Sequence, residues 1–323
     1  MNPKVAIIGA GQLGSRHLQG LANCATPLTI ILVDPSSASI ATARERFSVV
    51  PASKNHTLYT VGAISDLPRD LEFVIVACTA DYRFDVYSDL LRHTDARVIL
   101  LEKVLFQDLD HYPRSIELAA ASPTKTIVNL AQRYWPFFRQ LKSAVTDKSQ
   151  LSITITGSNW GLGCNAVHNV DIAEFIWGTT GRTTARLDRD LRESKRANCH
   201  EFTGTLETLI AGGGRLTQTS YVDGQAPFVI TAQTPGFIWV WDVSNGKSHR
   251  ADPDSGWSFV TSDLIAPYQS NLTTGLVDDV LAGRETDLPD LVTASATHLS
   301  TLSEILNNCR VNGHDFGRVC PVT

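Results

Sequence analysis

The chain has 323 residues, more than one ordinary core can use, and suits two domains of roughly 130 to 190 residues each. Apolar residues make up 43%, charged residues 19%, and the net charge is -5. That composition reads as a soluble globular protein without the basic field that holds a polyanion, so a nucleic-acid partner is excluded.

No apolar stretch reaches the roughly 18 residues that cross a bilayer, so no membrane partner is expected. The opening MNPKVAIIGAG passes straight into a strand pattern, without the layout of a signal peptide, and a cytoplasmic location is the expectation. Cys24, Cys78, Cys164, Cys199, Cys309 and Cys320 are scattered, with no CxxC pair. Free thiols follow, with neither a disulfide framework nor a structural metal.

In chain order, short β-branched runs alternate with helical patterns through the first third. Strands are expected at Lys4 to Ile8, Thr29 to Val33, Glu72 to Ala77, Arg97 to Leu101 and Thr126 to Leu130. Apolar residues at three-to-four spacing place helices at Ala38 to Phe47, Arg83 to Leu91 and Tyr112 to Ala121. This is an α/β pattern, an N-terminal doubly wound parallel sheet over residues 1–128 with ligands at the C-terminal ends of its strands. From 129 to 323 the texture changes. A helix at Pro136 to Val145 and a strand at Leu151 to Thr156 precede the stretch GSNWGLGCNAVHNVDIAEFIWG. Runs rich in Thr, Val and Ile then extend to Val243, punctuated by turn pairs such as Asp223-Gly224 and Asn245-Gly246. A second α/β domain with a mostly antiparallel sheet is expected there, closed by helices at Ile265 to Leu281 and Leu288 to Asn307.

Gly9-Ala10-Gly11-Gln12-Leu13-Gly14 is a GxGxxG turn. It follows a strand, opens a helix and stands twenty residues before Asp34 at the end of the next strand, the context a dinucleotide-binding turn requires. The first two glycines let the backbone approach a pyrophosphate, the third allows close packing, and the helix N-terminus supplies N–H groups. Asp34 would accept from the adenosine ribose hydroxyls and repel a 2′-phosphate, and Pro35-Ser36-Ser37 offers no arginine to offset that. The cofactor expected is NAD in preference to NADP. The plain alternative is a tight turn with Asp34 capping a helix.

A nicotinamide enzyme that oxidises an alcohol needs a group for the hydroxyl proton and another to hold the oxygen. Lys103, directly after a strand at the expected nicotinamide edge, can donate to a substrate oxygen, unless it is an ordinary surface lysine. His168 lies on a helix expected from Asn165, which would cap its start, with Asp171 at i+3 to hold the imidazole. Whether His168 is an acid/base group or a structural residue stays open on this reading alone. Asn159 and Trp160 lie nearby, the indole offering a face for a sugar ring and the amide bonding hydroxyls, although Trp160 also reads as core.

Together, Gly9 to Gly14, Asp34, Glu102-Lys103, Asn129 to Pro136 and His168 to Gly178 resemble the Gfo/Idh/MocA family of sugar and polyol oxidoreductases. The resemblance implies a Rossmann domain followed by a substrate-binding and oligomerisation domain, with a homodimer or homotetramer formed through the open sheet. It puts Lys103 on the lysine of the family's Glu-Lys-Pro motif and His168 on the histidine of its Asp-x-x-x-His pattern, both beside the nicotinamide. It assigns Gly9, Gly11, Gln12, Leu13, Gly14, Asp34, Thr79, Glu102 and Lys103 to cofactor binding. Lys103, Asn159, Trp160, Cys164, Asn165 and His168 fall to the substrate. The sequence departs from the pattern in three places: Val104 replaces the proline, Phe84 stands where a histidine is common, and Cys164 stands where the aspartate would be. Asn165 is then the residue to take over the hydrogen bonding.

The implied function is NAD-dependent hydride transfer at a secondary hydroxyl or keto group of a sugar, polyol or nucleotide-sugar. Two other readings share these residues: a dinucleotide-binding regulator without turnover, and transient oxidation that enables glycoside elimination or hydrolysis.

Overall fold

The computed structural model describes residues 2–194, 196 and 198–322. The chain forms two compact units, each containing a sheet. One runs to residue 106 and adds 110–131 and 267–294; the other comprises 107–109, 132–266 and the residues from 295 on.

The first unit is a βα alternation: β1 (Lys4–Ile8), α1 (Gln12–Leu21), β2 (Thr29–Val33), α2 (Ser37–Ser48), β3 (Thr57–Val61), β4 (Phe73–Val76), α3 (Arg83–His93), β5 (Val98–Leu101), α4 (His111–Ala120) and β6 (Lys125–Val128). Its six strands run parallel in the order β3-β2-β1-β4-β5-β6. The order reverses at β1 and β4, where a doubly wound sheet opens its ligand crevice. Both faces of β4 and β5 are buried, so they read as unbroken apolar runs. β3 was not among the expected strands. It is an edge strand whose residues are all at least partly exposed, so it lacks the apolar run that marks its neighbours.

The second unit holds α5 (Pro136–Ala144), β7 (Ser152–Ser158), α6 (Leu162–Trp177), β8 (Arg182–Leu187), the short pair β9 (Arg192–Glu193) and β10 (His200–Glu201), β11 (Gly204–Leu209), β12 (Arg215–Tyr221), β13 (Val229–Thr234), β14 (Phe237–Asp242), β15 (Lys247–Ala251) and β16 (Val260–Asp263). Eight strands form one sheet, β16-β15-β14-β13-β7-β12-β11-β8, antiparallel throughout except for β7 beside β12. The period-two pattern sends Phe237, Trp239 and Trp241 of β14 to one face and Ile238, Val240 and Asp242 to the other. The inward aromatics meet Phe137 and Phe138 of α5, with ring centroids 4.8 Å apart for Phe137 and Trp239 and 5.4 Å for Phe137 and Trp241. The Trp241 indole N–H donates to the Leu264 carbonyl at 2.6 Å, so the largest core side chain leaves no buried donor unmet.

After β16 come α7 (Gln269–Leu281), which returns to the first unit, and α8 (Leu291–Val311). α7 lies tightly on α1: a Cβ at Gly20 would stand 2.6 Å from the Ser270 carbonyl oxygen and 2.7 Å from the Thr273 Cβ. Among the described residues, no helix is long and apolar enough to cross a membrane.

Gly20→Ala should therefore lower the unfolding midpoint. Overpacking costs about 1–3 kcal/mol, which outweighs the gain of up to ~1 kcal/mol from replacing a mid-helix glycine. Denaturant titration of both proteins checks this, and an unchanged or raised midpoint would show that the helices do not touch there.

Candidate functional site

The glycine turn links β1 to α1. Gly9 has φ +100°, and a Cβ there would lie 2.9 Å from the Cys78 amide nitrogen of the neighbouring strand end. A Cβ at Gly14 would fall 1.8 Å from the Gly9 carbonyl oxygen, so the helix can meet the strand only if residue 14 has no side chain. Gly11 differs from both. It has an ordinary φ of −65°, and a Cβ would meet nothing within 4 Å. The protein's own packing does not call for a glycine there, whereas a group approaching the backbone from outside does. Gly11 is also the N-cap of α1, with no side-chain cap and no acidic residue in the first turn. The first helical N–H groups, at Gln12 and Leu13, therefore lack intrahelical partners and face the positive end of the helix dipole. A pyrophosphate fits this cradle.

Asp34 follows β2. One carboxylate oxygen accepts from the Ala10 amide at 2.7 Å and the other from the Ser36 amide at 2.8 Å. The α2 N-cap is Ser36, whose side chain accepts from the Ser39 amide, so the capping alternative for Asp34 does not hold. Asp34 instead fixes the glycine turn to the end of β2, half-exposed at the edge where a ribose would lie. Thr79 lies beyond β4 in the turn before α3, half-buried.

Glu102 and Lys103 directly follow β5. The Glu102 carboxylate turns inward, 2% exposed, accepting from Asn129 Nδ2 and meeting His17 Nε2 at 2.8 Å. Burial works to raise its pKa, but the hydrogen bond and charge of His17, together with Asn129 and Arg83, outweigh it and hold the group below the ordinary carboxylate value. Lys103 is half-buried, and the backbone beyond it is clamped: the Arg83 guanidinium donates to the carbonyls of Val104, Leu105 and Cys78. Val104, in the place of the family's proline, is fully buried. Phe84 is core as well, stacked on His111 at 4.2 Å between α3 and α4.

In the second unit, Asn159, Trp160, Cys164 and Asn165 come together in the wall of a cavity of about 510 Å³, joined by Arg192 and Phe202. The wall begins where β7 ends. Asn159 takes φ +49° and Gly161 φ +78°, left-handed values that asparagine and glycine tolerate best. This sharp reversal turns Trp160 into the cavity wall, where its N–H donates to the Thr219 carbonyl at 2.9 Å and its ring lies 5.2 Å from Phe228. Trp160 thus serves core and cavity together.

α6 begins at Leu162, with Gly161 as N-cap, so Asn165 is not the cap that was expected. It sits one turn inside, where its amide donates to the Trp160 carbonyl at 3.0 Å and holds the turn shut. The Cys164 thiol donates to the Gly161 carbonyl at 3.4 Å. His168, half-buried, stands one turn beyond Cys164 and is not among the cavity's lining residues.

Asp171 does not take the expected part of holding His168. Fully buried, it receives both nitrogens of a fork from Arg133, Nε at 2.7 Å and Nη2 at 2.5 Å, and Arg133 also reaches Glu174. Burial pushes the Asp171 carboxyl up to about 6 against the pull of Arg133, and Glu174 adds to the push. The pair pins α6 to the segment before α5.

Sequence reading missed Arg192 and His17, and it had Arg133 only as part of the Asn129 to Pro136 segment, without its partner Asp171. Arg192 donates to the Asn159 side-chain amide oxygen at 2.8 Å and stands in the cavity wall; the charged stretch 188–196, lacking any apolar period, was the available signal. His17 lay three residues beyond Gly14 on the helix face shared with Leu18 and Leu21.

Residues 3–130 match the oxidoreductase family with the NAD-binding Rossmann fold, Gfo/Idh/MocA. The match covers the first sheet and its glycine turn. No curated protein matches the sequence. Among solved structures, UDP-N-acetylglucosamine 3-dehydrogenase GnnA from Acidithiobacillus ferrooxidans is similar at 14% identity and TM-score 0.73, over 97% of this chain and 99% of that one. An oxidoreductase from Agrobacterium radiobacter, solved with NAD+, L-tartaric acid and magnesium, is similar at 14% identity and TM-score 0.73, over 97% and 98%. The transcriptional regulator Gal80p from Kluyveromyces lactis is similar at 13% identity and TM-score 0.71, over 96% and 93%. At such identities these likenesses establish the fold alone.

Arg133→Met should destabilise the protein by about 3–5 kcal/mol, because it leaves the Asp171 charge buried without its cation. The loss should shrink at acid pH. A folded-state pKa above the unfolded aspartate value of 3.8 means that protonation favours the fold, so stability declines as pH rises through about 6. Urea titrations of both proteins at low and neutral pH check the size and the sign.

Proposed function

We propose that this protein is an NAD-dependent oxidoreductase that transfers a hydride between nicotinamide and a secondary hydroxyl or keto group of a sugar, polyol or nucleotide-sugar. The single observation that carries the reading is Gly11, open to solvent at the N-terminus of α1 with Asp34 fixed beside it. Gly9, Gly11, Gln12, Leu13 and Gly14 would hold the pyrophosphate, Asp34 the adenosine ribose, and Thr79 and the Glu102-Lys103 strand end the nicotinamide half. The Asp34 carboxylate favours NAD over NADP, because a 2′-phosphate would meet its charge.

When bound, the nicotinamide supplies the hydride chemistry. Lys103 donates a hydrogen bond to the substrate oxygen and stabilises the negative charge that gathers there. His168 takes the hydroxyl proton during oxidation and returns it during reduction. Asn159, Trp160, Cys164 and Asn165 bind the substrate, the indole against a ring face and the amides on hydroxyls. A cavity of about 510 Å³ falls within the usual range for small-molecule sites. Open-face residues such as Thr154, Thr217, Ile238 and Val240 alternate with the core-facing ones and offer a surface for a second copy, in a homodimer or homotetramer.

The likeness to Gal80p favours a second reading, a dinucleotide-binding regulator without turnover. A screen of sugars, polyols and nucleotide-sugars, following NADH absorbance, separates the two. The enzyme reading expects turnover that falls by about 10²-fold or more in Lys103→Ala and His168→Ala; binding of NADH with no turnover on any substrate favours the regulator. Gly11→Val gives a separate check on the cofactor site. Its unliganded melting temperature should match the parent's, because no neighbour is touched, while the stabilisation of about 2.7 kcal/mol at a hundred-fold excess of NADH over Kd disappears.

A further inference from the structure

The first turn of α1 is held from α2 by Arg46, a half-buried side chain. Its Nη1 donates to Gln12 Oε1 at 3.0 Å and to the Ser15 hydroxyl oxygen at 2.6 Å, and the Ser15 proton goes on to the Gln12 carbonyl at 3.0 Å. A guanidinium has donors only, so the Gln12 atom against it must be the amide oxygen, and the NH2 group is turned away. Gln12 is exposed, and among the described residues nothing accepts from that NH2 group. Arg46 is always charged, yet both of its side-chain partners are neutral, and among the described residues no carboxylate pairs with it. The carboxylate of the cradle, Asp34, is taken up by the Ala10 and Ser36 amides.

We propose that Arg46 is a positioning residue for the cofactor, holding the Gln12 amide by its oxygen so that the NH2 group donates to a phosphate oxygen of the dinucleotide. Placement and charge both favour this use. Gln12 is the first residue of α1, and a helical Cα–Cβ bond leans toward the N-terminus, so its side chain starts at the rim where the N–H groups of Gln12 and Leu13 meet the anion. Without Arg46 the amide is free to turn and to offer its oxygen, which a phosphate repels. Held by that oxygen, it presents donors alone. The guanidinium charge adds to the positive end of the helix dipole, and the first turn of α1 contains no acidic residue to cancel it. The role rests on the dinucleotide reading proposed above and extends that site to a side chain of α2.

Calorimetric titration with NADH of the parent, Arg46→Met, Gln12→Ala and the double variant tests the pair. Each single substitution should raise Kd by about 10-fold, the loss of one hydrogen bond to a charged group. Because Arg46 acts through Gln12, the double variant should bind no more weakly than either single one, whereas two independent roles would multiply to about 100-fold. Gln12→Ala changes an exposed side chain, so it reads out the contact even where Arg46→Met weakens the fold. Parent-like affinity in either single variant, or a multiplied loss in the double one, overturns the role while the dinucleotide reading stands. A parent that binds no NADH overturns that reading and the role with it.

Discussion

The glycine at position 14 is the contact on which the nucleotide end depends. Only hydrogen there lets α1 lie against the Gly9 carbonyl, where any Cβ would fall 1.8 Å from the oxygen. That approach aims the N-terminus of α1 at the crevice where the strand order reverses, and it brings His17 over the end of β5. The other face of the same helix has a second close approach, Gly20 against α7, so α1 is gripped from both sides by positions that cannot carry a side chain. The cradle at Gly11 is left open because its neighbours on either side are closed.

The second unit is built on a different constraint. Its sheet buries large aromatics on one face, and α6 must enter at a steep reversal to cover that face. Asn159 and Gly161 make the reversal through left-handed backbone, and the amide of Asn165 closes it on the Trp160 carbonyl. Arg133 then fixes the helix farther along by its fork to Asp171. A cavity wall that includes Trp160 and Asn165 results, with Cys164 contributing a thiol where the family pattern has a carboxylate.

Much of the fold was legible in the sequence wherever burial was complete. β1 and β2 are apolar on both faces and were read to the residue, whereas β3, at the edge, shows no such run. Local spacing also gave the glycine turn with its aspartate, because all of that chemistry lies within a stretch of consecutive elements. It failed where partners are distant in sequence. Helical periodicity paired Asp171 with His168 three residues before it, but the true partner, Arg133, is 38 residues away. His17 and Glu102 are 85 residues apart, and each alone reads as an ordinary polar residue. The start of α6 was misread for a related reason: Gly161-Leu162-Gly163 resembles a loop, and only the buried packing of Leu162 and Gly163 makes it helix.

The most direct test of the central claim is calorimetric titration of the purified protein with NADH and, in parallel, NADPH. The account predicts saturable binding of one NADH per chain, with NADPH weaker by at least about tenfold, the penalty of setting a phosphate against the Asp34 carboxylate. Binding of neither nucleotide, or tighter binding of NADPH, would contradict it.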